Sequence, residues 1–222
     1  SREEVQDYVI EAVSKVLRGA NIEYVKWDMN RNMTESFSQG RDPRRQLETQ
    51  HRYMLGLYRV MEKITSDFPE VLFESCSGGG GRFDAGMLYY MPQTWTSDDT
   101  DAVERLCLQY GTSYVYPASA MGAHVSAVPN HQTGRVTGMR MRGEVAMGGN
   151  FGFELDLSKL SAEDIEIARQ LVCEVKQARE ITGKGVFTRL ISPFEGSHAA
   201  WQFVSPEGDQ ALLCVYQVLC RP

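Results

Sequence analysis

Apolar residues recur with the period of an α-helix in four stretches of the chain. The stretches are 1–19, 44–66, 99–110 and 161–181. In the first stretch the apolar side chains fall on one helical face, at Val5, Tyr8, Val9, Ala12, Val13, Val16 and Leu17. Ser1 and Ser161 each precede an acidic residue by three positions, which is typical of a helix N-cap, and Gly183 is a suitable stop. We therefore predict four amphipathic helices with about these bounds.

Five short apolar runs lie between these helices, and each ends in polar residues. Their sequences are IEYVKWD, VLFES, TWTSD, YVYPAS and FGFELD. Short strands that alternate with amphipathic helices indicate βα units and a parallel sheet. The predicted fold class is therefore α/β. Two architectures fit: a complete doubly wound sheet, or part of a (β/α)8 TIM barrel, which as a whole needs about 250 residues.

From about Lys184 the pattern changes to that of antiparallel strands. The runs GVFTRLISPF, AAWQFVSPEGDQ and ALLCVYQVLC have no helical period, and the turn residues P-E-G-D separate the last two. We predict an α/β part over residues 1–183 and the start of a small antiparallel β domain over residues 184–222.

Composition excludes several classes of protein. The 222 residues carry a net charge of −6 and no basic block, which argues against a nucleic-acid partner. No apolar run approaches the roughly 20 residues of a membrane-spanning helix. The five cysteines lack the spacing of a disulfide framework or a zinc site, and the four histidines form no metal-ligand pattern. We expect no metal, no membrane contact and a reducing, cytoplasmic location.

Polar residues gather where the predicted strands end, which in parallel α/β folds is the edge that holds the active site. These strand-end residues are Asp28, Glu74 to Cys76, Asp98, Ser119 and Glu154 to Asp156. In YVKWDMNR the side chains of a strand alternate, so Lys26, Asp28 and Asn30 share one face. A lysine, a carboxylate and an amide together suit a neutral hydroxylated ligand, and Lys26 would favour the ionised form of Asp28. A Lys–Asp ion pair that only stabilises the fold explains the same residues.

The glycine run in CSGGGGRFD permits close approach of the backbone to a ligand. It lacks both the P-loop pattern and the dinucleotide-binding fingerprint, so we expect no cofactor. Backbone amides that line a sugar pocket are the better interpretation. Cys76 has no obvious histidine partner nearby, and we interpret it as the wall of a pocket and not as a nucleophile.

The segment TWTSDDTDAVER places four acidic residues close together. Asp99 and Asp101 are explained as the N-cap and first-turn charges of the helix that follows. Asp98 closes the predicted strand and is left to face the pocket. Trp95 could pack beside that pocket, although a tryptophan of the core is the more common case.

Three segments together resemble the family-36 glycoside hydrolases, the bacterial α-galactosidases of the melibiase and raffinose-degrading type. YVKWDMNR, ESCSGGGGRFD and WTSDDTDAVERLCLQYGTS look like the motifs of that family in the order of that family. The resemblance covers nearly the whole chain. It implies strands 4 to 8 of a TIM barrel, followed by the start of the C-terminal β domain.

The resemblance also implies a mechanism and a set of site residues. Enzymes of the family retain anomeric configuration through a glycosyl-enzyme intermediate, which makes Asp28 the nucleophile and Asp98 the general acid/base. Lys26 and Asn30 match residues that bind galactose hydroxyls, while Cys76 and the backbone at Gly79 match the pocket wall near the 2-hydroxyl. The implied substrates are terminal α-galactosides such as raffinose, stachyose and melibiose, and the implied full-length enzyme is a homo-oligomer.

Other functions remain open at this stage. An α-N-acetylgalactosaminidase, which would need a wider wall at Cys76 and Gly79, and a galactosyl-transferring relative share the same motifs. From the resemblance we expect three features of the family to lie before the residues of this chain: the paired aspartates and the tryptophan that bind the 4- and 6-hydroxyls, and the N-terminal β-sandwich. We therefore expect the 222 residues alone to self-associate and to lack activity, and a sugar-binding fragment without activity is the third alternative.

Overall fold

The computed structural model describes residues 2–30 and 33–219, and the chain divides into two compact units, 1–92 and 93–222. The first unit contains α1 (Glu3–Gly19), β1 (Tyr24–Asp28), a 3₁₀ helix (Pro43–Glu48), α2 (Thr49–Asp67), β2 (Leu72–Cys76) and α3 (Ala85–Tyr90). Strands β1 and β2 are parallel and pair over their full length, from Tyr24 opposite Leu72 to Asp28 opposite Cys76.

The core of the first unit lies where the helices cover these two strands. Met61, Ile64, Phe73 and Met87 are each at most 2% exposed, and Leu17 and Val60 join the same cluster. The face predicted for α1 is buried only in part: Val9, Val13 and Leu17 pack in the core, whereas Val5, Tyr8 and Val16 are exposed. Burial of the apolar side chains of this cluster is the main stabilising contribution to such a unit.

The second unit begins with parallel strands and ends with an antiparallel sheet. It contains β3 (Gln93–Trp95), α4 (Ala102–Thr112), β4 (Met121–Ser126), α5 (Met139–Ala146), β5 (Asn150–Glu154), α6 (Ala162–Lys184), β6 (Val186–Ile191), β7 (His198–Val204) and β8 (Ala211–Gln217), with short 3₁₀ helices at Ala118–Ala120 and Leu157–Lys159. Strand β4 pairs in parallel with both β3 and β5, and β7 pairs in antiparallel register with both β6 and β8. Its core includes Ala123, Val125, Met139 and Leu171.

The predicted strand YVYPAS is wrong. Residues 113–115 form a turn, Pro117 precedes the 3₁₀ helix Ala118–Ala120, and the strand is the following run, MGAHVS. Proline has no N–H to donate to a sheet, and Tyr114 and Val115 are exposed. Ser119 therefore lies before the strand, and Ser126 is the residue that ends it.

Several predicted helix ends differ from the structure by a few residues. The stretch 44–66 is a 3₁₀ helix followed by α2, and α4 begins at Ala102 because Asp101 is its N-cap. Ser161 caps α6 through the amide of Asp164, as predicted, but the helix continues past Gly183 to Lys184. The proposed cap at Ser1 lies outside the described residues. The boundary predicted between residues 183 and 184 stays a prediction.

Candidate functional site

Asp28 lies at the carboxyl end of β1, beside the carboxyl end of β2. Its register partner is Cys76, and Lys26, two residues earlier on the same face, is opposite Glu74. Asp28 is exposed, Lys26 is half-buried, and Glu74 is fully buried and accepts a hydrogen bond from the phenol of Tyr24. The two strands thus bring two predicted site residues of β1 beside one of β2 at a single edge.

The side chain of Asn30 connects Asp28 to the glycine-rich loop. Its Nδ2 donates to Asp28 Oδ2 at 2.6 Å, and its Oδ1 accepts from the amide of Gly78 at 2.6 Å. These two contacts require opposite ends of the amide, so they fix both its orientation and the position of one carboxylate oxygen. Asp28 is therefore held as a hydrogen-bond acceptor while the residue stays exposed.

The glycine-rich loop folds back on itself directly after β2. The amide of Ser77 donates to the carbonyl of Gly79 at 2.9 Å, and Gly81 donates to the carbonyl of Ser77 at 3.2 Å. This tight turn uses positive φ at Gly78 (56°) and Gly79 (76°), a region that only glycine enters readily. The hydroxyl of Ser77 donates to the carbonyl of Met29 at 2.7 Å, which fixes the loop against the end of β1.

Cys76 is buried beside Asp28 and is not an activated thiol. Burial is the main cause that raises the pKa of Cys76 to about 11; a backbone hydrogen bond from Gly79 opposes this rise, and the nearby Asp28 carboxylate adds to it. A thiol with this pKa stays protonated at neutral pH and can only line a pocket or donate weakly. The structure thus brings Asp28, Asn30, Cys76 and Gly79 together, as the sequence predicts.

Asp98 lies in the second unit, in the loop between β3 and α4, and its side chain is exposed. Its neighbours have structural contacts: Ser97 Oγ accepts from the amide of Asp99 at 3.1 Å, and Asp99 Oδ1 accepts from the amide of Asp101 at 3.0 Å. Asp101 Oδ1 caps α4 through the amides of Val103 and Glu104. Asp101 is therefore the N-cap of α4 and not a first-turn charge, Asp99 lies before the helix, and Asp98 is an exposed carboxylate of the loop.

Asp101 also connects this loop to the segment that follows β4. The carboxylate is 2% exposed, accepts from Thr133 Oγ1 at 2.6 Å and forms an ion pair with Arg135. Burial raises the pKa of Asp101, but the hydrogen bonds from Thr133, the two capping amides and Arg135 outweigh it and hold the pKa below its usual value. Asp101 therefore fixes the end of the Asp98 loop at the point where α4 begins.

Trp95, at the end of β3, belongs to the core at 2% exposure and contacts one cationic and one aromatic side chain. The guanidinium of Arg105 lies 4.5 Å from its ring centroid, and the ring of His124 stacks on it at 4.4 Å with an interplanar angle of 22°. His124 Nδ1 lies 3.0 Å from Glu154 Oε2. The sequence analysis found no metal-ligand pattern among the histidines, His124 included, and did not identify Arg105.

Two further observations concern the described parts of the chain. Within residues 2–30 and 33–219, no group of three or more His, Cys, Asp or Glu side chains is arranged to hold a metal ion. None of the helices in the same ranges combines the length and the apolar character needed to cross a bilayer.

Comparison with known proteins identifies close relatives over nearly the whole chain. Residues 1–185 match the family described as Melibiase. The chain is 64% identical over 221 residues to alpha-galactosidase AgaA of Geobacillus stearothermophilus, and 50% identical over 217 residues to alpha-galactosidase 1 of Pediococcus pentosaceus. These alignments cover 100% and 98% of this chain and 30% of each relative.

Solved structures show the same similarity in three dimensions. The crystal structure of the GH36 α-galactosidase AgaA superposes with a TM-score of 0.96 at 63% identity, over 99% of this chain and 31% of that one. Variants of AgaA have been crystallised with raffinose and with stachyose. The predicted architecture, strands of a partial barrel followed by an antiparallel sheet, is confirmed. The chain spans about a third of the length of these relatives.

Proposed function

Since the chain belongs to the melibiase family of GH36 α-galactosidases, we propose that it is part of a retaining exo-α-galactosidase. The observation that carries the proposal is the Asp28 carboxylate, exposed at a strand end and held by Asn30 at 2.6 Å. An exposed carboxylate whose orientation is fixed by a hydrogen bond is suited to attack a sugar carbon. Asp28 is the nucleophile, and Asp98 is the general acid/base.

Retaining glycosidases use two carboxylates on one glycosidic bond in two displacements. In the first, Asp28 attacks the anomeric carbon while Asp98 protonates the departing oxygen, which gives a covalent glycosyl-enzyme. In the second, Asp98 removes a proton from water, and the water releases the sugar with its configuration retained. The proposal requires both carboxylates to reach one sugar ring, with carboxyl groups about 5–5.5 Å apart.

The substrates proposed are terminal α-galactosides, including raffinose, stachyose and melibiose. Support comes from the AgaA variants that were crystallised with raffinose and stachyose. Each of these two variants carries a substituted aspartate, and the two aspartates are separated along AgaA by as many residues as separate Asp28 from Asp98 here. Lys26 and Asn30 would bind sugar hydroxyls, and Cys76 and the Gly79 backbone would form the wall beside the 2-hydroxyl.

Substitution of Asp28 tests the nucleophile. In the full-length enzyme, Asp28→Ala should abolish turnover because no covalent intermediate can form, and added azide should restore cleavage of an activated aryl α-galactoside and yield the β-galactosyl azide. The matched control is Asp42→Ala, since Asp42 is an exposed aspartate that caps a 3₁₀ helix and lies outside the strand-end set. An Asp28→Ala enzyme as active as this control would exclude the assignment.

Substitution of Asp98 tests the acid/base. Asp98→Ala should slow raffinose about 10²–10⁴-fold and slow a dinitrophenyl α-galactoside much less in the first displacement, since only the sugar leaving group needs a proton. The comparison variant is Asp99→Ala, which removes the adjacent carboxylate. Equal slowing of both substrates by Asp98→Ala, or a leaving-group effect in Asp99→Ala instead, would show that Asp98 is not the acid.

A further inference from the structure

Arg105 is a buried arginine that binds the backbone directly beside Asp98. It lies on the inner face of α4 and is 2% exposed. Its Nη1 donates to the carbonyl of Ser97 at 3.2 Å, and its Nη2 donates to the carbonyl of Gly122 at 2.7 Å. One planar group therefore links the residue before Asp98 to strand β4.

The guanidinium is also fixed in its plane. It lies over Trp95 at 4.5 Å from the ring centroid, and His124 stacks on Trp95 at 4.4 Å. Trp95 is itself the last residue of β3, so the loop that bears Asp98 is held at its start by the strand and at Ser97 by Arg105. An arginine stacked on an aromatic ring with two fixed acceptors has little freedom to move.

Burial of this charge is costly for a purely structural role. Burial lowers the pKa of Arg105 to about 10, and the charges of Asp99 and Glu154 act to raise it. At neutral pH the side chain stays charged, and the acceptors of its two hydrogen bonds, the carbonyls of Ser97 and Gly122, are uncharged. An apolar side chain would fill the same space without the cost of desolvating a charge.

We propose that Arg105 is a positioning residue for Asp98, because its bond to the Ser97 carbonyl sets the backbone from which the acid/base carboxylate projects. The inference rests on the proposed role of Asp98. Lysine carries the same charge but cannot bridge two fixed carbonyls in one plane or stack as a guanidinium does. Loss of the bridge should therefore reduce proton donation to the leaving group more than attack by the nucleophile.

The test compares Arg105→Lys with Arg142→Lys in the full-length enzyme. Arg142 is a matched control, since it is 6% exposed and its Nη1 donates to the carbonyl of Ser126, which ends β4, at 2.6 Å. The readout is kcat/KM for raffinose and for a dinitrophenyl α-galactoside, with the melting temperature of each variant. We expect Arg105→Lys to lose about tenfold more on raffinose than on the dinitrophenyl substrate, and Arg142→Lys to affect both equally.

The kinetics of the Arg105 variants and of Asp98→Ala together decide between the possible roles of Arg105. If Arg105→Lys slows both substrates equally, as the control does, the positioning role is refuted. If that variant does not fold, Arg105→Met carries the test, because an apolar chain of similar length keeps the packing and removes the bridge. Asp98→Ala is measured with the same two substrates. If Asp98→Ala loses more on raffinose than on the dinitrophenyl substrate but neither Arg105 variant does, only the positioning role of Arg105 is refuted. If Asp98→Ala shows no such difference, both the acid/base role of Asp98 and the positioning role of Arg105 are refuted.

Discussion

Replacement of Asp101 should destabilise the second unit strongly, although the residue lies on a loop. Its carboxylate is 2% exposed and accepts hydrogen bonds from the amides of Val103 and Glu104 and from the hydroxyl of Thr133, besides its ion pair with Arg135. In Asp101→Ala the capping contacts are lost, and several donors are left without an acceptor. Loss of a helix N-cap costs about 0.5–2 kcal/mol, and loss of one partner of a buried ion pair costs about 3–5 kcal/mol.

Arg135 is partly exposed and lies 3.4 Å from Glu104, so it can recover part of the ion pair. We therefore expect a net loss of about 3 kcal/mol for Asp101→Ala. Asp101→Asn keeps an oxygen for the capping amides and should lose about 1 kcal/mol. For a chain of this size, 1 kcal/mol corresponds to roughly 2–4 °C in melting temperature, so Asp101→Ala should melt roughly 6–12 °C lower.

The effect should also depend on pH in a defined direction. Because the pKa of Asp101 is lower in the folded protein than in the unfolded chain, its contribution is complete above the unfolded pKa of about 4 and is lost as the pH falls through the folded value. The difference between wild type and Asp101→Ala should be constant from pH 5 to 8 and shrink below about pH 4.

The assay is thermal unfolding followed by circular dichroism, with Asp156→Ala as the control. Asp156 caps a 3₁₀ helix through the amide of Ser158, but its side chain is half exposed, so its loss should leave the melting temperature nearly unchanged. If Asp101→Ala and Asp156→Ala melt together, or if the Asp101 effect is unchanged at acid pH, the reasoning from burial and ion pairing is wrong.

Two other predictions concern packing and thiol chemistry. A methyl group at Gly143 would overlap the fully buried Leu171 side chain. Gly143→Ala and Leu171→Ala should therefore each destabilise the fold, the latter by about 2–5 kcal/mol. In chemical denaturation the double variant should lose less stability than the sum of the two single variants, and an additive result would refute the contact. A thiol reagent at pH 7.5 should label exposed Cys173 well before buried Cys76 and Cys214, because burial raises the pKa of these two thiols. Peptide mapping over time measures the order of labelling, and early labelling of Cys76 would contradict its burial.

The first half of the candidate site could be predicted because alternation along a strand is a strong local signal. Lys26, Asp28 and Asn30 fall on one face by their spacing alone, and the glycines after Cys76 indicate a turn. What the sequence did not predict is that Asn30 contacts Asp28 and Gly78 together, because that contact depends on the parallel register of two strands far apart in the chain.

The parts that were missed have weak local patterns or unusual ones. Strand β4, with the sequence MGAHVS, contains glycine and alanine, which have low strand propensity, while the exposed YV pair before Pro117 mimics a strand. Arg105 occupies the buried face of α4 with Ala102, Leu106 and Gln109, at the helical spacing of a core position. An arginine at a position that the helical period assigns to the core is unusual and could have identified Arg105, but a search for apolar residues alone misses it.

The central claim, that Asp28 is the nucleophile of a retaining α-galactosidase, is tested most directly by trapping the covalent intermediate. The full-length enzyme is incubated with a fluorinated galactosyl donor that forms the glycosyl-enzyme faster than water releases it, quenched in acid and digested for mass spectrometry. The account predicts one added fluorogalactosyl group on the peptide that contains YVKWDMN, located at Asp28. A stable label on another carboxylate, or rapid turnover of the donor without any labelled peptide, would contradict it.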